Sequence, residues 1–189
     1  MSQQFSINNL PDLIPYRKDK KWGFCDINKN IIIECIYDAT YPFVEGLARI
    51  RKDHWYGYID ITGKKIIQCV HYEAYDFSEG LALVRNYMEC KFVDNLGKVV
   101  IPEKYSLADS FSEGLARVQR NNKWGYIDKI GFEVIPCIYN EAQNFLDGLA
   151  KVRIGKVEWI YINKLGQEVF PDFKEEVLKF SQEIGRAHV

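Results

Sequence analysis

Residues 115–119, L-A-R-V-Q, alternate: Ala116 and Val118 fall on one side of an extended segment, and Leu115, Arg117 and Gln119 on the other. That period of two predicts a β-strand. The polar stretch 120–122 then predicts a turn, and K-W-G-Y-I-D at 123–128 a second strand rich in aromatic and β-branched residues. Residues 129–131 predict another tight turn, with Gly131 free to take positive φ. F-E-V-I-P at 132–136 predicts a third strand that Pro136 is expected to close, because proline donates nothing to a ladder. Beyond it, Tyr139, Ala142 and Phe145 lie three apart, a spacing that predicts one tight helical turn rather than a strand. Asp147 and Gly148 then turn the chain into the next L-A-x-V strand.

The same words recur along the chain. Gly46, Gly80, Gly114 and Gly148 are spaced by 34 residues, each preceded by an acid (Glu45, Glu79, Glu113, Asp147) and followed by Leu-Ala. At the same step K-W-G-Y-I-D maps onto K-W-G-F-C-D at 21–26, W-Y-G-Y-I-D at 55–60 and E-C-K-F-V-D at 89–94, with E-W-I-Y-I-N at 158–163 arriving one residue late. V-I-P-C-I-Y at 134–139 maps onto 32–37, 66–71 and 100–105. Internal repetition at such a period is the mark of a repeat array. The expected fold is all-β: four to five three-stranded antiparallel repeats in an open superhelical or solenoid-like array, with a closed β-propeller as the alternative. The propeller ranks second because a blade normally has four strands.

The columns K-W-G-Y-I-D, V-I-P, the aromatic trio and E-G-L-A-x-V together resemble the WG (Trp-Gly) repeat family, found mostly in bacterial proteins, over residues 11–173. The resemblance implies an all-β array that acts as an interaction module without a known activity. Trp22, Trp124 and Trp159 fit the Trp column, but Tyr56 and Cys90 depart from it; Lys91 and Ile160 depart from the Gly column. The third copy is the most degenerate, which predicts either a looser hairpin or packing from a neighbour in place of the missing ring.

Residues 1–10 are expected to be a tail, and Pro15 to blunt an edge strand at the start of the array. At the other end Asp172 and Glu175 resemble a capping box, and Phe173, Val177 and Phe180 share a helical face, so a short capping helix is expected over 172–182. Residues 183–189, E-I-G-R-A-H-V, read as the in-frame translation of a sequencing-library adapter. They are expected to be a scar, with the natural protein continuing past Gln182.

Charge removes some function classes. With 25 basic and 26 acidic residues the net charge is −1, and no basic excess points to nucleic acid or anionic lipid. No apolar run reaches the length of a membrane span. Five cysteines without C-x-x-C spacing read as reduced thiols, and the expected location is the cytoplasm.

Candidate chemistry follows the columns. Cys35, Cys69 and Cys137 share one column, readable as zinc ligands or as small buried hydrophobes; four ligands do not converge, which favours the second. The acidic column reads as general acids or as turn formers whose carboxylates accept backbone N–H bonds, and whole-repeat spacing favours turns. Asp26, Asp60, Asp94 and Asp128, with Asn163, read as Asx turns. His54 and His71 lie in unrelated slots and complete no triad. No catalytic, cofactor or metal residues are assigned, and the chain is expected not to be an enzyme. The candidate interaction surface is cationic: Arg49, Arg117 and Lys151 recur on the first strand, and Arg51, Arg85 and Arg153 two residues on. Strand-two rings at Phe24, Tyr58, Phe92, Tyr126 and Tyr161 are placed to stack with them. Such a stripe suits a protein or peptide partner; alternatively it is a solvated face with its charges paired internally. The expected role is a non-enzymatic protein-interaction scaffold, the alternative being a ligand-binding module for a glycan, peptide or nucleotide.

Overall fold

The structure is a computed structural model and describes residues 12–169 except Met88 and Val157. The expected tail over 1–10, helix over 172–182 and scar over 183–189 lie outside the described residues. The chain divides into two compact units, one ending at Phe111 and one starting at Ser112. Every regular element among the described residues is a β-strand.

In the first unit β1 (Ile14–Lys18), β2 (Lys21–Cys25) and β3 (Ile31–Tyr37) form one antiparallel sheet. A second sheet contains β4 (Ala39–Val44), β5 (Leu47–Lys52), β6 (Trp55–Asp60) and β7 (Lys65–His71), in that order. A third contains β8 (Glu73–Ala74), β9 (Leu81–Asn86), β10 (Glu89–Asp94) and β11 (Val99–Tyr105), and β12 (Leu107–Ala108) follows it. In the second unit β13 (Ala116–Arg120), β14 (Lys123–Ile127) and β15 (Glu133–Tyr139) form a meander. The next sheet runs β16 (Glu141–Ala142), β17 (Leu149–Ile154), β18 (Glu158–Asn163), β19 (Glu168–Val169).

Two expectations are corrected. The repeat has four strands rather than three, because the aromatic trio is extended chain and not a helical turn. Thr40 pairs with Ile50 and Phe43 with Ala48, so three residues on β4 span two on β5. A one-residue bulge puts i and i+3 on the same face and so imitates helical spacing. The third strand also does not stop at proline: β15 runs through Pro136 to Tyr139. Tyr126 pairs with Ile135 and Trp124 with Tyr139, so residues 136–138 bulge out of an edge, where a missing N–H costs little.

The turns follow from local chemistry. At each corner an acidic residue and a glycine both take positive φ, 52° and 84° at Glu45–Gly46 and 56° and 87° at Glu79–Gly80. This is the two-residue type I′ hairpin that acid-Gly pairs favour. In the second turn the Asp128 Oδ1 accepts the N–H groups of Ile130 and Phe132, at 3.0 and 2.8 Å. Asp26, Asp60, Asp94 and Asn163 repeat the same pair of bonds, which bears out the Asx reading. The degenerate third copy keeps its hairpin in register from Glu89↔Asn86 to Asp94↔Leu81, with Lys91 opposite Val84.

The core lies between successive sheets of a unit. Phe24, Ile33 and Tyr37 of one sheet pack against Ala48, Ile50 and Ile59 of the next. Tyr58 and Ile67 meet Ala82, Val84 and Val93 in the same way, and in the second unit Tyr126, Ile135 and Tyr139 meet Ala150, Val152 and Ile162. A large ring on one face fits only against small residues on the facing one, so the alanine of every L-A-x-V strand is a packing requirement. The T-shaped pair Tyr126–Phe145, with centroids 4.8 Å apart, is repeated at Tyr58–Phe77 and Phe92–Phe111, both at 5.0 Å.

One member of the buried Tyr37, Tyr105, Tyr139 column is different: His71, which is buried opposite Tyr56. Burial first, and then the Lys91 ammonium, hold its pKa below the ordinary 6.5, with a hydrogen bond to Asn86 opposing them. A depressed folded pKa means that the unfolded chain takes up the proton first as the solution is acidified. The contribution of neutral His71 is therefore complete above about pH 6.5 and is lost as pH falls toward its folded pKa. His71→Tyr, the residue of the other copies, should flatten urea-midpoint profiles between about pH 5 and 7.

Candidate functional site

The cation column begins as a register fact. Arg49 lies opposite Tyr58 and Arg51 opposite Tyr56, so both guanidiniums share a sheet face with both rings. What they meet there is the chain that leads into the following sheet. Arg49 sits 3.7 Å above the Tyr41 ring, ion-pairs with Asp76 at 3.1 Å, and donates from Nη1 to the Ala74 carbonyl. The Tyr58 hydroxyl donates to the next carbonyl, Tyr75 O, at 2.6 Å, and burial pushes its pKa upward.

The second unit repeats the junction. Arg117 lies 4.9 Å from the Trp124 ring and donates to the Ala142 carbonyl, while the Tyr126 hydroxyl donates to Gln143 O at 2.7 Å. Arg85 pairs with Glu73 at 2.8 Å, and Arg153 pairs with Glu141 and stands 5.8 Å from Trp159. Lys151 lies 5.1 Å from the same ring, and Arg51 6.0 Å from Tyr56. All six predicted surface cations therefore contact rings, carboxylates or carbonyls of their own chain. Of the strand-two rings, Phe24, Tyr58, Phe92 and Tyr126 are buried and Tyr161 is exposed.

The corner acids join repeats as well. Glu45 places one carboxylate oxygen 2.7 Å from the N–H of Glu79 and the other 2.9 Å from that of Gly80, one corner ahead. In the second unit Glu113 accepts from Gly148 N at 2.9 Å and pairs with Lys164 at 3.1 Å. These partners, the Gly148 N–H foremost, hold the Glu113 pKa below 4.5. Its contribution to stability is complete above that value and is lost as pH falls through the folded pKa, so Glu113→Gln should remove this part of the acid-induced loss in a thermal-melting series. The serines beside the corners add a bond that the sequence reading missed. Ser78 Oγ donates to Phe111 O at 2.7 Å and Ser112 Oγ to Phe145 O at 2.8 Å. Recurrence of Ser78 and Ser112 in one column was the available signal.

All five cysteines are free, and Cys35 and Cys137 point their thiols at the carbonyls of Tyr16 and Val118, 3.6 and 3.8 Å away. Among the described residues no group of three or more His, Cys, Asp or Glu is placed to hold a metal ion. No helix among them is long and apolar enough to cross a membrane.

Tandem antiparallel sheets, with recurrent side chains that bond one repeat to the next, define an all-β repeat protein. A family model described as WG containing repeat matches residues 22–53, 56–87, 92–124 and 124–157, and the chain belongs to that family. No curated protein matches it.

Proposed function

We propose that the chain is a non-enzymatic interaction scaffold that presents edge-strand side chains to a protein or peptide partner. The observation that carries this proposal is where spare apolar surface stands. The Arg, Glu and Asp columns and the buried rings of strand two are spent on turns and junctions, whereas, besides the apolar turn residues, β-branched side chains stand out on the third strand of the repeat. Ile36 and Val70 hold equivalent positions of β3 and β7 and are 43% and 55% exposed; Ile138 of β15 is 56% exposed. Each belongs to a bulged strand, and β3 and β7 are edges of their sheets. Exposed side chains on a sheet edge suit an extended peptide better than a small substrate. A four-stranded repeat removes the ground for ranking the propeller below an open array, and small-angle scattering of the full chain would separate the two; the thiols are taken to be kept reduced in the cytoplasm.

A photo-cross-linking residue placed at Val70 in producing cells should give a discrete adduct that Ile36→Lys abolishes. The control is Leu96, a turn residue that is more exposed still, at 79%. Adducts at Val70 no different from those at Leu96 would overturn the proposal.

A further inference from the structure

The second repeat departs from the others at two residues that meet in one place, Trp55 and Lys65. The tip of the β5–β6 hairpin and the bulged edge of β7 enclose a cleft of about 440 Å³, lined by Lys52, Asp53, Trp55, Lys65, Cys69 and Val70 among others. Positions 52 and 65 correspond, two repeats later, to Arg120 and Glu133, which meet as an ion pair at 2.6 Å. These two positions are thus within side-chain reach of each other. The first and third copies carry Lys18 with Ile31 and Asn86 with Val99. Only the second, among these copies, sets two ammonium groups here, and Cys69 lines the cleft beside them.

Two like charges lining one cleft repel; Asp53 is the acid of the lining, and Asp38 stands behind it, its Oδ2 accepting from the Asp53 N–H at 2.8 Å. The junctions described above use neither lysine. An anion between them would turn the repulsion into attraction. Beside them stands a ring that the repeat does not require either: the column of Trp55 holds Lys21, Glu89, Lys123 and Glu158 elsewhere. Trp55 is 38% exposed and Val70 55%, which gives the cleft an apolar wall next to its cations. Its volume lies within the range of small-molecule sites.

We propose that this cleft binds a small organic anion carried on a flat ring, with Lys52 and Lys65 clasping the anionic group and Trp55 stacking on the ring. The site goes beyond the scaffold function and does not depend on it: the two share strand β7, which carries Lys65, Cys69 and Val70, but the site needs a small anion and no protein partner.

The test is calorimetric titration of the full chain with phenyl phosphate at low ionic strength, with inorganic phosphate and phenol as separate arms. One saturable site with a Kd of about 1 mM or tighter is expected for phenyl phosphate, weaker binding for phosphate, and none for phenol. Lys65→Glu, which restores the charge pattern of Arg120 and Glu133, should weaken phenyl phosphate at least about tenfold without lowering the melting temperature. Should that variant fail to fold, Lys65→Ala serves in its place with the same expected direction. Trp55→Ala should weaken phenyl phosphate several-fold and leave inorganic phosphate unchanged. Absence of saturable phenyl phosphate binding up to about 10 mM, or equal binding by wild type and the Lys65 variant, would overturn the site. Neither result bears on cross-linking at Val70, so the two proposals fail separately.

Discussion

Arg117→Leu should destabilise the protein by about 2 kcal/mol or more in urea titrations, and Tyr126→Phe by about 1, yet the double variant should cost clearly less than their sum. Arg117 and Tyr126 face each other across β13 and β14 and donate to successive carbonyls, Ala142 O and Gln143 O. Removing Arg117 alone leaves a part-buried carbonyl without its donor and a tyrosine hydroxyl in a site shaped for two polar groups. The chain itself shows the apolar solution. In the third repeat the equivalent cross-strand pair is Leu83 and Phe92, and both are buried. Arg49 with Tyr58 and Arg117 with Tyr126 are one matched set, Leu83 with Phe92 the other. A mixed pair combines the cost of both, so a coupling of about 1–2 kcal/mol is expected. Strict additivity would show that the hydroxyl and the guanidinium act independently, and the junction described here would then be wrong.

Gly125→Ala should cost about 2–3 kcal/mol, although alanine is only one methyl larger and suits a strand better. A Cβ at Gly125 would fall 2.5 Å from the Ile135 carbonyl oxygen and 2.7 Å from the Cys137 nitrogen and the Pro136 carbonyl carbon. These are backbone atoms of the bulge, so no side-chain rotation relieves the overlap. Gly57 meets the same atoms of its own bulge, with Ile67 O at 2.5 Å. The glycine of the Trp-Gly pair is therefore present for close approach, not for an unusual φ. Lys91 provides the control. It occupies this column with the same register shift on β11, so the bulge in that repeat stands back far enough for a Cβ. Lys91→Gly should change stability by no more than about 1 kcal/mol, the ordinary flexibility cost of glycine in a strand. A Gly125→Ala variant as stable as the parent would mean that the bulge moves freely, and the packing explanation of the glycine column would fall.

Much of the repeat was legible because its determinants are local. The Asp128 turn needs only acceptor and N–H groups two and four residues apart, and the Asp147–Gly148 corner needs only two residues able to take positive φ. Both are readable from spacing. The fourth strand was not, because the bulge between Thr40 and Phe43 produces the three-residue spacing of a helical turn, and only pairing with β5 separates the two. Pro136 misled for a related reason: proline ends a strand that needs its N–H, and residues 136–138 bulge away from the ladder.

The cation stripe shows the boundary most clearly. Strand alternation correctly put Arg49 and Arg51 on the face opposite Ala48 and Ile50. Nothing in that alternation says that the Ala74 carbonyl, 25 residues on, waits there, or that Tyr41 supplies a ring beneath the guanidinium. Lys52 and Lys65 are likewise unremarkable surface lysines until Arg120 and Glu133 show that their positions touch.

By itself, then, the sequence determined the period, the three strands of the meander, both tight turns and the face of each side chain on the first two strands, since all of these rest on bonds and sterics within a few residues. Tertiary structure alone decided the bulges, the stacking of ring against alanine between sheets, and which columns are buried in junctions rather than left exposed. Those outcomes depend on the displacement from one sheet to the next, a distance that no spacing along the chain records.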